Sequence, residues 1–314
     1  GQTPGGQEDV FLAKFTQEGV LVYASQLASS GDGIGGVDGG HAVAVSDDGS
    51  VYITGYSGQA IDGQLAHGQL DALVVKFNAD GSKAWTRTFG TQDSEVGNAI
   101  TVASNGNVFI AGIRSLQGDV PSSLNPDAFL AEYNPQGDQV SYKTTGIEGW
   151  AFGESVAAGA NGVVFMGGHA AGTFDAQTQT AGWDGFLVKY NAAGGTEWIK
   201  TVGGLGNGDA VQSIAVAKDG SVYVAGQTEN LPSGTSTVGL DSFLSKYDAQ
   251  GQLLWMRQFG PDSATEYANA VTIGADGLVY VAGTTSGAIN GNSQLGDNDG
   301  YVVSFDANGN KRST

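Results

Sequence analysis

The sequence predicts an all-β fold, a β-propeller of four-stranded antiparallel blades at about 57 residues per blade. A heptapeptide of the form Asp-x-Phe-Leu recurs along the chain, as DVFLAKF from Asp9, DALVVKF from Asp71, DAFLAEY from Asp127, DGFLVKY from Asp184, DSFLSKY from Asp241 and DGYVVSF from Asp299. The Asp-to-Asp intervals are 62, 56, 57, 57 and 58 residues. A period so long and so regular is one supersecondary unit repeated. Each interval holds four β-branched and aromatic segments and no helical stretch, which is the content of a blade.

Within each module the first segment is AVAVSDDG from Ala42, AITVASNG from Ala99, SVAAGANG from Ser155, SIAVAKDG from Ser213 and AVTIGADG from Ala270. The second follows at once: VYITG from Val51, VFIAG from Val108, VVFMGG from Val163, and VYVAG from Val222 and Val279. Asp-Gly or Asn-Gly between them predicts a tight hairpin with positive φ at both turn positions. These two strands are the most apolar and are placed innermost, around a central channel. The Asp-x-Phe-Leu segment is the third strand. A Gly turn leads to the fourth, which carries Trp85, Trp198 or Trp255, with Tyr23 in their place near the start and Tyr142 one residue out of step. A residue demanded by every copy reads as filling between blades rather than ligand stacking. Asp71 with Lys76, Asp184 with Lys189 and Asp241 with Lys246 lie five apart, on opposite faces of one strand, each reaching a neighbouring strand or blade.

These strings closely resemble the bacterial seven-bladed β-propeller (SBBP) repeat family, whose hallmark has the form DAFLAKYDxxGNxLWxxxFG, a Gly/Asp-rich loop, then AVAVDxxGNVYVAG. The match is nearly complete in DSFLSKYDAQGQLLWMRQFG at 241–260 followed by ANAVTIGADGLVYVAG at 268–283, and it extends over essentially 9–312. The resemblance implies an extracellular or cell-surface setting, often inside larger proteins. It transfers no catalytic residue.

Counted as modules, the chain is a single propeller domain or segment. It comprises a half blade at 9–27, modules at 42–89, 99–145, 155–202 and 213–259, and an incomplete last module at 270–314. This accounting predicts six or seven blades in the full protein, or five if the chain is complete.

Composition narrows the function. Thirteen Lys and Arg against 32 Asp and Glu leave a net charge of −19, which repels nucleic acid and anionic membranes and suits cations or neutral ligands. No apolar run is long enough for a membrane helix, and there is no Cys for thiolate chemistry. His41, His67 and His169 have no metal-site spacing, and no nucleophile or phosphate-loop motif occurs. A non-catalytic propeller is the reading, acting as a structural, adhesion or assembly scaffold with protein partners or copies of itself. A hydrolase is the least supported class.

The alternative is a glycan- or Ca²⁺-binding module. Four residues before the first strand stand Asp38, Glu95, Asp209 and Glu266, with Ala151 in the third module. Repeated around an axis, such carboxylates would converge at the channel mouth as oxygen ligands for Ca²⁺. They equally suit capping of their own Gly-rich loops. Just before each first strand comes a polar residue, His41, Asn98, Glu154, Gln212 or Asn269, as a candidate ligand contact. Trp150, in the third crossing loop, and Trp183, before Asp184, break the module pattern and are candidates for stacking on sugar rings. The Gly/Asp-rich stretch 29–41 and Asp297 with Asp299 fall short of a calcium-loop pattern.

Overall fold

The computed structural model describes residues 8–27, 29, 37–115, 126–173, 182–203, 208–230, 236–260, 264–288 and 296–313. The middle of the 29–41 stretch, residues 30–36, lies outside them. The chain forms two compact units, Gly1–Thr145 and Gly146–Thr314.

In the first unit, β1 (Val10–Phe15) and β2 (Leu21–Leu27) pair as a two-stranded half-blade. The first blade is β3 (Asp38–Val45), β4 (Val51–Ser57), β5 (Asp71–Phe77) and β6 (Lys83–Phe89); the second is β7 (Ser94–Val102), β8 (Val108–Ser115), β9 (Asp127–Tyr133) and β10 (Gln139–Thr144). The second unit holds three blades. The third is β11 (Glu148–Ala158), β12 (Val164–Thr173), β13 (Asp184–Tyr190) and β14 (Thr196–Val202). The fourth is β15 (Ala210–Val216), β16 (Val222–Asn230), β17 (Ser236–Tyr247) and β18 (Leu253–Phe259), and the fifth is β19 (Glu266–Ile273), β20 (Val279–Thr285), β21 (Asp299–Phe305) and β22 (Lys311–Ser313). Every blade is an antiparallel meander with its strands side by side in chain order. The propeller-blade fold class therefore stands. The one helical element among the described residues is the single 3-10 turn Ala160–Gly162.

Burial is deepest in the second and third strands, not in the first and second. β4 and β5 are buried at nearly every position, whereas Val43 and Val45 of β3 are 58 % and 64 % exposed. A meander gives its two middle strands neighbours on both sides, and this outweighs the apolar content of the edge strand. The first-to-second-strand turns follow the expectation at Asn161 and Gly162, with φ 58° and 77°, and differ from it in the other blades. Among the described residues only Asp62 and Asn161 have positive φ besides Gly, so in SDDGS the Gly alone is left-handed, at φ 82°. The loop closes by Ser46 N–H to the Ser50 carbonyl at 2.9 Å and Gly49 N–H to the Ser46 carbonyl at 2.9 Å. Asp48 Oδ1 accepts from the Ser50 amide at 2.8 Å, so the side chain supplies what a second left-handed residue would otherwise provide.

Blades pack by a rule that the repeat makes visible. From the heptapeptide Asp, the second, fourth and sixth following residues face the blade before; the first and third face the blade after. Thus Leu73, Val75 and Phe77 pack against Val10 and Leu27 of the half-blade. Phe129, Ala131 and Tyr133 pack against Ala72 and Val74. Tyr301, Val303 and Phe305 pack against Leu244.

The fourth-strand Trp seals the outer end of this contact, as the recurrence required. The Trp85 ring lies over Gly137 of the next blade's turn, Trp198 over Gly251 and Trp255 over Gly309. Trp85 Nε1 donates to the Pro135 carbonyl at 3.0 Å, and Trp255 Nε1 to the Ala307 carbonyl at 3.1 Å. The repeated Lys shares the same acceptor: Lys76 Nζ reaches Pro135 O at 3.3 Å and Lys246 Nζ reaches Ala307 O at 3.4 Å. Lys189 Nζ likewise reaches Ala249 O at 2.8 Å.

Candidate functional site

Three of the four predicted carboxylates lie in strands rather than crossing loops, and Asp209 ends its loop. Asp38 and Glu266 open their strands, Glu95 is the second residue of β7, and Asp209 directly precedes β15. Each first strand starts earlier than the apolar segment suggested because pairing continues through a β-bulge. The register shifts between Gly40 and Ala42, Gly97 and Ala99, Gly153 and Ser155, Val211 and Ser213, and Ala268 and Ala270. The residue skipped is in every case the polar one: His41, Asn98, Glu154, Gln212 or Asn269. A bulge leaves one residue out of the ladder and re-aims it. The polar repeat is therefore the mark of the bulge itself. In the first unit two of these residues meet, His41 Nδ1 lying 3.3 Å from Asn98 Oδ1.

All four carboxylates are buried, at 0 to 1 % exposure. Asp38 accepts from Ser57 Oγ at 2.6 Å and from the Ser29 amide at 2.7 Å. Glu95 accepts from Thr91 Oγ1 at 2.7 Å and the Thr91 amide at 3.1 Å, with Arg114 Nε 3.8 Å away. Glu266 accepts from Thr285 Oγ1 at 2.8 Å. The backbone amides of Asp38, Glu95 and Asp209 donate to Glu8, Leu70 and Trp183, each the residue before a heptapeptide Asp. Glu95 meets Asp71, the heptapeptide Asp of the preceding blade, at Gly90, and Glu266 faces Asp241 in the same way. A Cβ on Gly90 would lie 2.6 Å from both Asp71 Oδ1 and Glu95 Oε2, and one on Gly203 or Gly260 would overlap Asp209 or Glu266. Burial pushes the Glu95 and Glu266 carboxyls upward, Glu266 to about 7 with the charge of Asp241 adding to the effect. Among the described residues no group of three or more His, Asp or Glu side chains is placed to hold a metal ion. These acids are built into blade junctions.

The aromatic exceptions are brought together. Trp150 is a strand residue of β11, not a loop residue, and its ring is 45 % exposed. Trp183 meets it edge-on at 6.1 Å between centroids, Phe152 lies 5.5 Å from Trp183, and His169 stacks on Phe152 at 4.8 Å and 10°. His169 also lies 5.1 Å from Trp183, and its Nδ1 is 3.8 Å from Glu154 Oε1. Desolvation raises the Glu154 carboxyl and lowers the His169 imidazole, so burial favours the neutral form of each. The heptapeptide pattern gave no sign of Phe152 and His169. They could have been found by aligning β11 and β12 with the other blades: Gly39 stands opposite Tyr56, Val96 opposite Ile113, Ala210 opposite Gln227 and Tyr267 opposite Thr284, whereas this blade has rings on both sides, Phe152 opposite His169. The rings lie with centroids 4.8 to 6.1 Å apart. They form a packed pedestal that presents the exposed Trp150.

A separate open groove of about 600 Å³ runs between β1 and β3 in the first unit, lined by Val10, Phe11, Leu12, His41, Val43 and Ile53 among others. Glu8, Asp9 and Asp38 also line it, beside His41.

No family model matches the chain. It is 29 % identical over 205 residues to the regulatory protein FlaEY of Caulobacter vibrioides, an alignment spanning 58 % of this chain and 21 % of that protein. Among solved structures it resembles puromycin hydrolase, at a TM-score of 0.48 and 14 % identity, over 87 % of this chain and 38 % of that one. The Pan2 WD40 domain of Neurospora crassa gives a TM-score of 0.44 and 11 % identity over 85 % and 81 % of the two chains. YCF48 bound to a D1 peptide gives 0.42 and 13 %, over 88 % and 66 %.

Proposed function

We propose that this chain is a non-catalytic binding propeller, a scaffold module of an extracellular or cell-surface bacterial protein, and that the Trp150 patch of the third blade is a contact surface for a protein partner. One observation carries the reading. Trp150, Phe152, His169 and Trp183 occur together in the third blade, a four-ring cluster that no other blade shows among the described residues. A half-exposed Trp on a rigid aromatic pedestal is a typical binding anchor, since it offers large area at small entropic cost. The regulatory role named for the Caulobacter relative suits a module that binds rather than reacts. The bacterial surface setting follows from the repeat resemblance.

The test is retention of partners from extracts of the native cells on immobilised wild-type protein. Trp150→Ala should lose the retained partner and Trp150→Phe should keep much of it. Equal retention by all three would remove Trp150 from the reading. The exposed indole also favours a second reading, stacking on a sugar ring. Binding to neutral oligosaccharides on an array, lost in Trp150→Ala, would select it over the first.

A further inference from the structure

The third blade departs from its neighbours in sequence at one end of its inner hairpin. Its first two strands stay paired out to Glu148 and Thr173, while the corresponding ladders end at Asp38–Ser57, Ser94–Ser115, Ala210–Gln227 and Glu266–Thr285. Trp150 is therefore held on regular ladder, opposite Ala171. Residues directly opposite one another point to the same face of a sheet. On the other side Ala170 pairs with Asp184, which puts Trp183 beside Ala171. The two indoles flank that small residue, and their planes cross at 85°. They make a right-angled corner with Ala171 as its floor. Trp150 is 45 % exposed and Trp183 half-buried, so the corner opens on the Trp150 side.

The chemistry of the corner restricts what fits it. At Trp85 and Trp255 the indole N–H is used inside the fold, on the Pro135 and Ala307 carbonyls. Trp150 and Trp183 make no such bond among the described residues, which leaves two donors for a ligand. His169 Nδ1 is buried, out of a ligand's reach. Residues 148–173 include Glu148 and Glu154 but neither Lys nor Arg, in a chain of net charge −19. A complementary ligand brings apolar rings, carbonyl acceptors with no N–H to satisfy, and positive charge. A proline-rich segment with basic neighbours meets all three demands. Its helix has no internal hydrogen bonds, so its carbonyls are free, and its backbone is ordered before binding. An uncharged sugar would use the stacking face but not the acidic surroundings.

We propose that the Trp150–Trp183 corner takes a proline-rich segment with basic flanking residues, bound as a polyproline helix with one pyrrolidine ring between the two indoles. This rests on the reading of the Trp150 patch as a protein contact and names the partner's chemistry. The two Trp touch the ring, and Ala171 sets the specificity, because a larger side chain there would occupy the corner.

Titration of the full chain with a blocked peptide of consecutive prolines ending in arginines, followed by calorimetry and Trp fluorescence, tests this. Saturable binding is the expected result. Alanines in place of the prolines, or glutamates in place of the arginines, should weaken it by at least about tenfold. Trp150→Ala and Ala171→Leu should weaken it as much, and Trp150→Phe less. Ala171→Leu keeps every ring, so its effect reports on the corner rather than the pedestal; Ala171→Val serves if Ala171→Leu loses the wild-type circular dichroism. No binding of the proline peptide, equal binding of the alanine peptide, or binding unchanged in Trp150→Ala and Ala171→Leu would overturn the proposal. Oligosaccharide binding lost in Trp150→Ala, with the peptide ignored, would overturn it in favour of a sugar. A partner held from extracts through Trp150 but not displaced by the peptide would overturn it and leave the protein-contact reading in place.

Discussion

Glu266 shows how a repeated acid acts at a single position. Its carboxyl is buried, faces Asp241, and is shifted up from 4.5 to about 7. A carboxyl whose folded pKa is raised favours the protonated form on folding. Its contribution is full below the unfolded value of 4.5 and is lost as pH rises through 7. Stability should therefore decline between about pH 5 and 8, by about 1–3 kcal/mol from this site. Glu266→Gln, keeping the shape without the ionisation, should flatten that slope in denaturant titrations at a series of pH values. An unchanged slope would place the dependence elsewhere. The neighbouring glycine is fixed by the same packing. Gly260 has φ 150° and abuts Glu266 Oε2, so Gly260→Ala should cost about 1–3 kcal/mol.

At the scale of the strand, the fourth-strand Trp is the joint between blades. Trp85 fills the space over Gly137 and donates to Pro135 O. Trp85→Phe keeps most of the ring and loses the hydrogen bond, for about 1 kcal/mol. Trp85→Ala also empties the gap and should cost about 2–4 kcal/mol, less than a fully buried Trp because the ring is only half-buried. Equal losses in urea unfolding would mean that the hydrogen bond, not the packing, holds the joint. This role was legible in the sequence, because Trp85, Trp198 and Trp255 recur at one offset from the turn. The strands were legible for the same reason. The bulges were not: a polar residue before an apolar run looks like a loop end, and only the ladder shows that pairing resumes on its far side. Nor could sequence show that Asp38, Glu95, Asp209 and Glu266 are buried. A carboxylate in a Gly-rich stretch usually faces water, and here the glycines instead let the backbone close over it. Trp150 and Trp183 stood out because they broke the repeat. Phe152 and His169 were hidden, since they lie on strands where an aromatic is unremarkable.

For the whole molecule, the charge of −19 sets the terms of any self-association. Two copies repel at long range, and an apolar contact between them would have to overcome that repulsion. Salt then acts in a definite direction. The screening length shrinks from about 8 Å at 0.15 M to about 3 Å at 1 M, which removes the repulsion and leaves apolar burial intact. Association between copies should strengthen as sodium chloride rises. A contact built on ion pairs would weaken instead. Sedimentation at low, physiological and molar salt separates the two, and weakening with salt would point to charged groups rather than apolar burial. The same screening should raise the unfolding midpoint of the dilute chain, because like charges held together in the folded state repel one another less. Following both quantities in one salt series distinguishes repulsion within a copy from repulsion between copies: only the second depends on protein concentration.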